Sequence, residues 1–175
     1  MSKVLKGAMQ ILALLPGVDC SGCGGCGFTT CETCAKAIAE TGDITLCPAC
    51  DNERIKAIAD AMGVEPVTVE EKTAFIRCAG DAAGKERLAN LESCEAAKEA
   101  GFLYGECQWG CIGLGSCTKK CEFGAMSIED GKIVIDKEKC TGCTACMSGC
   151  PQNLISMVPK DATNFIPVLP RHTKL

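Results

Sequence analysis

Cysteines are the residues of this chain whose type and spacing could do chemistry. The chain has 175 residues and 17 of them are cysteine. One run reads Cys140-x2-Cys143-x2-Cys146-x3-Cys150, and Pro151 follows it. Thiolates at this spacing bind soft metals, and in iron–sulfur proteins the first three hold one cluster while the fourth reaches another. The run therefore predicts a metal or iron–sulfur site.

The same spacing occurs 29 residues earlier with one cysteine missing. Cys111, Cys117 and Cys121 have the same offsets, and Leu114 stands where the remaining cysteine would be. The register continues beyond the cysteines, where it pairs Ser127 with Ser156 and Ile128 with Met157. We interpret the two stretches as an internal duplication.

Three uses of so many thiols are open: disulfides, zinc and iron–sulfur clusters. The odd count and the absence of a recognisable secretory signal argue against a disulfide framework. Zinc sites often include histidine, but the single histidine is His172, in a proline-rich tail. The apolar run over 8–18 is too short to span a bilayer. Clusters are favoured, and zinc remains the alternative.

The overall charge limits the kinds of partner. The formal charge is −4 and the isoelectric point is near 5.1, so a nucleic-acid interface is not expected. An acidic surface would suit a basic redox protein, because complementary charge sets the encounter rate. No nucleotide-binding motif and no paired acid and base are present, so we expect no catalytic residue and no substrate chemistry on this chain alone.

Apolar spacing and turn residues predict short helices and strands, which is an α+β fold. Asn52 is the predicted N-cap of a helix that ends at Gly63. The other predicted helices cover 1–15, 33–40 and 84–100, with short ones around Thr118 and Ser148. The predicted strands cover 73–78, 133–135 and 155–158, and 64–68 is a linker or an edge strand. The helix over 1–15 packs on its own domain or on a partner.

The two runs together resemble bacterial two-cluster ferredoxins. The resemblance implies crossed ligation, in which Cys121 joins the three cysteines Cys140, Cys143 and Cys146, while Cys150 joins Cys111 and Cys117. Cys107 is the candidate for the place that Leu114 leaves open, and a three-iron cluster is the rival. The degenerate run departs from the pattern at Glu122, where a proline normally follows the last cysteine.

A different motif precedes these runs. Cys23-x2-Cys26-x4-Cys31, followed by Cys47-Pro48, resembles the four-cysteine [4Fe–4S] domain of corrinoid iron–sulfur proteins and of the B subunit of the Rnf electron-transfer complex. The strings CGFTTC (26–31), AKAIAE (35–40) and LPG (15–17) carry this resemblance. The last string lies three residues farther from the motif than is usual, which leaves Cys20 as a competing first ligand.

The similarity to the Rnf B subunit extends over nearly the whole chain. It is carried by AFIRC (74–78), SCEAA (93–97), GCIGLGSC (110–117) and PQNLISMVP (151–159). The resemblance implies electron exchange with ferredoxin and a partner enzyme that handles flavin or NAD. The membrane anchor of that family is not found in this sequence, so we expect a soluble, cytoplasmic relative.

Five cysteines remain after these assignments. They are Cys20, Cys34, Cys50, Cys78 and Cys94. Each could be a buried free thiol, because cysteine packs as a small hydrophobic residue. Together they could instead hold a fourth cluster or a zinc ion.

The resulting prediction is an α+β protein with a helical four-cysteine domain and a two-[4Fe–4S] ferredoxin-like domain. The boundaries are 1–63 for the first domain, 64–101 for a connecting segment, 102–158 for the ferredoxin-like domain and 159–175 for an extended tail. The predicted function is electron relay through three [4Fe–4S] clusters or four. The alternatives are an iron–sulfur subunit of a larger oxidoreductase complex and a zinc-stabilised regulatory module. The redox partner, the cluster potentials and the oligomeric state are left open.

Overall fold

The chain forms two compact units. The computed structural model describes residues 3–17, 27–78, 90–101, 110–130 and 132–162. The first unit comprises 1–72 with 141–145, and the second comprises 73–140 with 146–175. In the described ranges the elements are α1 (Lys3–Leu14), α2 (Cys31–Thr41), α3 (Asn52–Met62), β1 (Lys72–Ile76), α4 (Cys94–Glu99), α5 (Ser116–Lys119), β2 (Met126–Glu129), β3 (Lys132–Ile135), α6 (Ala145–Ser148) and β4 (Ile155–Pro159).

Helix α1 belongs to the core of the first unit. Ala8, Ile11 and Leu15 recur at helical spacing, and all three are buried. The helix packs against α2 and α3. The predicted helix over 1–15 is therefore confirmed, and its apolar face is covered by its own unit.

Helix α2 begins and ends as its sequence requires. The Thr30 side chain accepts a hydrogen bond from the backbone N–H of Thr33, and the Thr33 side chain accepts one from the Thr30 N–H, which completes a capping box. Gly42 ends the helix with φ +78°, a conformation that glycine adopts at little cost. The helix predicted over 33–40 is confirmed and extends to Cys31–Thr41.

The predicted N-cap of α3 was wrong by one residue. Asp51 caps the helix, because its carboxylate accepts a hydrogen bond of 2.8 Å from the Arg54 N–H. The Asn52 side chain is used elsewhere: its amide accepts from the Val69 N–H at 2.9 Å and donates to the Val69 carbonyl at 3.2 Å. This pair of bonds ties the segment after the helix, which has no strand over 64–71, to the start of α3.

The second unit is built on two small sheets. Strand β1 pairs with β4, and β2 pairs with β3 in antiparallel register, with Met126 opposite Ile135. The buried core cluster comprises Ala74, Cys117, Met126, Cys146 and Ile155. The α+β class is confirmed, and two cysteines are part of the hydrophobic core.

The duplication is visible in the backbone. At the 29-residue offset α5 corresponds to α6, and β2 corresponds to β4. Left-handed backbone conformations recur at the same offset in three pairs: Gly113 and Gly142 (φ +84° and +69°), Gly115 and Thr144 (+73° and +69°), and Gly124 and Asn153 (+61° and +52°). Such conformations are uncommon outside glycine, so their repetition shows that the two motifs share one loop geometry.

The helix predicted over 84–100 was too long. Residues 90–93 are not helical, and α4 begins at Cys94, where the Ser93 hydroxyl accepts a hydrogen bond of 3.1 Å from the Ala96 N–H. The part of this prediction over 84–89 lies outside the described residues, as does the part of the predicted tail over 163–175. None of the helices in the described ranges is long and apolar enough to cross a membrane.

Candidate iron–sulfur sites

Thirteen of the cysteines lie in the described ranges, and no two of them form a disulfide with each other. The predicted ligands Cys23, Cys26 and Cys107, and the spare cysteine Cys20, lie outside the described residues.

Four cysteines of the second unit line one pocket. They are Cys94, Cys111, Cys117 and Cys150, and the apolar side chains of Ile112 and Ile133 complete much of the wall. Three of them are the cysteines that the sequence predicts for the site of the degenerate run. The fourth, Cys94, was among the spare cysteines, and the spacing of the motif gave no signal for it.

Burial disfavours the charged form of these thiols. Burial, with a smaller contribution from the repulsion between neighbouring thiolates, raises the pKa of Cys111 to about 11 and that of Cys117 to about 12. Such a group of thiolates is stable only around a positively charged centre, which removes the protons and compensates the repulsion. The donor set therefore fits a bound metal group.

The arrangement fits a cluster better than a single ion. No group of three or more Cys, His, Asp or Glu within the described ranges is placed to hold one metal ion. A zinc ion would draw four sulfurs to about 2.3 Å from a single point. A [4Fe–4S] cluster is larger than a single ion, and its four cysteine ligands surround it. Thiols that line a pocket can bind in this way.

Helix α4 fixes Cys94 at this pocket. The Cys94 N–H donates a hydrogen bond of 2.8 Å to the Ser116 hydroxyl, which itself donates to the Glu95 carboxylate at 2.9 Å. Ser116 immediately precedes Cys117, so these bonds connect the helix to the loop of the degenerate run. Ala97 and Ile112 pack with Cys94 in a buried cluster, against which Leu114 also packs.

Three cysteines of the complete run, together with Cys121, lie in or beside the core of the second unit. Cys146 belongs to that core, and Cys121, Cys140 and Cys150 pack against it. Three of the sulfurs accept backbone hydrogen bonds: Cys140 from Ala74 at 3.3 Å, Cys121 from Ala125 at 3.3 Å, and Cys150 from Leu154 at 3.4 Å. Hydrogen bonds of this kind orient ligand sulfurs and tune a cluster.

The loop over 141–145, which carries Cys143, belongs to the first unit. Gly142 has φ +69°, and a Cβ atom there would lie 2.7 Å from the Lys72 carbonyl oxygen, so the backbones approach closely. The hydroxyls of Thr141 and Thr144 are buried with no hydrogen-bond partner in the described part of the chain. Buried hydroxyls normally have an acceptor, and the sulfur atoms of a cluster could supply one.

Two of the four ligands predicted for the first cluster lie in the described part of the first unit. Cys31 begins α2, and Cys47 is buried near the start of α3. A hydrogen bond with Cys50 lowers the pKa of Cys47 to about 7. The spare cysteine Cys34 is buried on α2. In the second unit the spare Cys78 accepts a bond of 3.4 Å from the Cys111 N–H.

Comparison with known proteins first gives the class. Residues 110–155 match the family described as 4Fe-4S dicluster domain. The chain thus carries a ferredoxin-type iron–sulfur domain, in the region where the duplicated loops and the pocket of four cysteines lie.

The relatives then narrow the class. The chain is 38% identical over 139 residues to the B subunit of an ion-translocating oxidoreductase complex of Methanosarcina acetivorans, an alignment that covers 77% of the chain and 52% of the relative. It is 32% identical over 167 residues to the B subunit of the Na(+)-translocating ferredoxin:NAD(+) oxidoreductase complex of Acetobacterium woodii, with 86% and 46% covered. The chain is similar to these B subunits of ion-translocating oxidoreductase complexes and spans about half the length of these proteins.

Proposed function

We propose that this chain is an iron–sulfur electron-transfer protein, which relays low-potential electrons between a ferredoxin and a redox enzyme that handles flavin or NAD. The observation that carries the proposal is the duplicated pair of cysteine loops, with Cys94, Cys111, Cys117 and Cys150 in one pocket. [4Fe–4S] clusters, when bound, accept and release single electrons.

We propose three clusters, each with its own set of ligands. The first is held by Cys23, Cys26, Cys31 and Cys47. The second is held by Cys140, Cys143 and Cys146 together with Cys121. The third is held by Cys111, Cys117 and Cys150 with one further ligand. The described cysteines form no disulfides with one another, which is in keeping with a reducing compartment, and we propose that the protein works in the cytoplasm.

The partners are proposed from the relatives. One of them is named as a subunit of a ferredoxin:NAD(+) oxidoreductase complex, which suggests that this chain also works in a hetero-oligomeric redox complex. The net charge of −4 supports docking on a basic surface. Within the chain, the residues hold the clusters, exclude water with apolar walls and direct backbone N–H groups at the ligand sulfurs.

Metal analysis of protein purified without oxygen tests the proposal. We expect about 12 iron atoms and as many acid-labile sulfides per chain, with reduced-state EPR signals of [4Fe–4S] clusters. Reduced ferredoxin should then bleach the visible absorbance of the clusters in stopped-flow mixing. Zinc without sulfide would overturn the electron-transfer function and support the zinc-stabilised module instead. Clusters that ferredoxin does not reduce would overturn the assignment of this partner.

A further inference from the structure

We propose that Cys94, which lies outside both cysteine runs, is the fourth ligand of the cluster at Cys111, Cys117 and Cys150. This inference rests on the proposed function and deepens it, because it completes a four-iron site where the degenerate run has Leu114. The neighbouring Cys107 is then not a ligand of this cluster, and the three-iron alternative does not apply to the intact protein.

The first support is the composition of the pocket. Cys94 lines it together with the three motif cysteines, whereas Cys78 does not line it. Cys78 is close to Cys111, where it accepts a backbone hydrogen bond. Among the described cysteines, Cys94 is the one that completes a set of four.

The second support is the way in which Cys94 is held. Its N–H is bonded to the Ser116 hydroxyl, and Ser116 is bonded through its backbone to Cys117. The position of Cys94 is therefore set relative to a motif ligand by one side chain. Because Cys94 is only 7% exposed and Ala97 is fully buried, the start of α4 has little freedom to move away from the pocket.

The third support is the role of Leu114. This residue occupies the motif position of the missing cysteine, and it packs against the buried cluster of Cys94, Ala97 and Ile112. A leucine there cannot bind iron, but it covers the helix that brings another thiol to the pocket. Leu114 at the motif position and Cys94 at the pocket thus belong to one packed group of side chains.

Ligation by Cys94 has a simple chemical balance. The Cys94 thiol loses its proton to solvent, and the thiolate sulfur forms a bond to the iron atom that the three motif cysteines leave without a protein ligand. No electron is transferred in this step.

Three single variants of the full chain, purified without oxygen, test the inference: Cys94→Ala, Cys107→Ala and Cys78→Ala. We expect Cys94→Ala to lose about one iron atom by conversion to a three-iron cluster, or about four by loss of the cluster. The EPR signal of an oxidised three-iron cluster identifies the first result. The other two variants should keep the iron content and the EPR spectrum of the unmodified chain.

A double variant controls for misfolding. Cys94→Ala with Leu114→Cys places a cysteine at the regular motif position and should regain the lost iron and the four-iron spectrum. In every variant the cluster of Cys140, Cys143 and Cys146 serves as an internal control of folding, because its EPR signal should persist.

Two results overturn the inference and can be told apart. If Cys107→Ala loses the iron while Cys94→Ala retains the full content, Cys107 is the ligand and only the inference fails. If the unmodified chain contains no iron and no sulfide, the proposed function fails and the inference fails with it.

Discussion

Gly142 is a residue whose side-chain hydrogen cannot be replaced without moving the backbone. A Cβ atom there would lie 2.7 Å from the carbonyl oxygen of Lys72, closer than van der Waals contact allows. Gly124 has a similar left-handed conformation, φ +61°, but a Cβ atom there would meet nothing within 4 Å. Substitutions at these two glycines therefore separate the free-energy cost of a left-handed backbone from the cost of a steric clash.

We expect Gly142→Ala to be more destabilising than Gly124→Ala. Both variants carry the penalty of about 1–2 kcal/mol for a Cβ in the left-handed region, and only the first adds a backbone clash beside Cys143. Thermal loss of the cluster absorbance, measured without oxygen, gives the midpoints to compare. Equal midpoints for the two variants would mean that the loop over 141–145 does not lie against Lys72.

Ser116 is a second residue whose contribution to stability can be measured separately. Ser116→Ala leaves the Cys94 N–H buried without an acceptor, which costs about 1–3 kcal/mol. We expect a lower unfolding midpoint and faster loss of iron to a chelator than in the unmodified protein. Ser127→Ala is the matched control, because Ser127 is exposed and bonds only to Glu129 nearby. If the two variants lose iron at the same rate, Ser116 does not position the start of α4.

At the level of the elements, the start of α3 allows a test of which residue caps the helix. Asp51→Ala removes the N-cap and should lower the stability of the first unit by about 1 kcal/mol. Asn52→Ala keeps the cap but removes both bonds to Val69, so the backbone near Val69 should become more exposed to proteolysis. Limited proteolysis with thermal melting distinguishes the two variants. A larger stability loss in Asn52→Ala, without new cleavage near Val69, would return the capping role to Asn52.

Local sequence signals predicted the elements well where one residue type decides the outcome. Gly63 correctly marked the end of α3, because a left-handed turn depends on neighbouring residues alone, whereas the predicted start of α2 at Thr33 lay two residues after the observed start at Cys31. The start of α4 was missed, since the apolar spacing of Leu91 and Ala97 suits a longer helix and the cap at Ser93 competes with it. Strand β1 pairs with β4 across some 80 residues of sequence, and no local pattern encodes such a pairing.

At the scale of the whole molecule, the cysteine sites also show that local sequence does not predict tertiary contacts. The resemblance to two-cluster ferredoxins predicted that Cys111, Cys117 and Cys150 would come together. Sequence proximity suggested Cys107 as their companion. The position of Cys94 depends on how α4 packs on the degenerate loop, which is a tertiary contact that the spacing of cysteines does not contain.

Crossed ligation makes a prediction about the molecule as a whole. Cys121 lies in the first repeat and packs against a core cluster that contains both Cys117 and Cys146. If ligation is crossed, Cys121→Ser should damage the cluster of the second repeat. The EPR difference spectrum of this variant should match that of Cys146→Ser. A match to Cys111→Ser would show that each repeat holds its own cluster and that the ferredoxin pattern does not apply.

The paired hydrogen bonds at Cys121 and Cys150 bear on the direction of electron flow. Each sulfur accepts one bond from the N–H four residues later, at 3.3 and 3.4 Å. Such bonds favour the reduced, more negative state of a cluster. Cys121 and Cys150 each accept one such bond, so the bonds affect the two reduction potentials about equally. Their effects on the difference between the two potentials therefore nearly cancel. Any step in potential between the ferredoxin-type clusters then arises where the repeats differ, as at the Cys140 sulfur, which accepts a further bond from Ala74, and at the pocket that α4 completes.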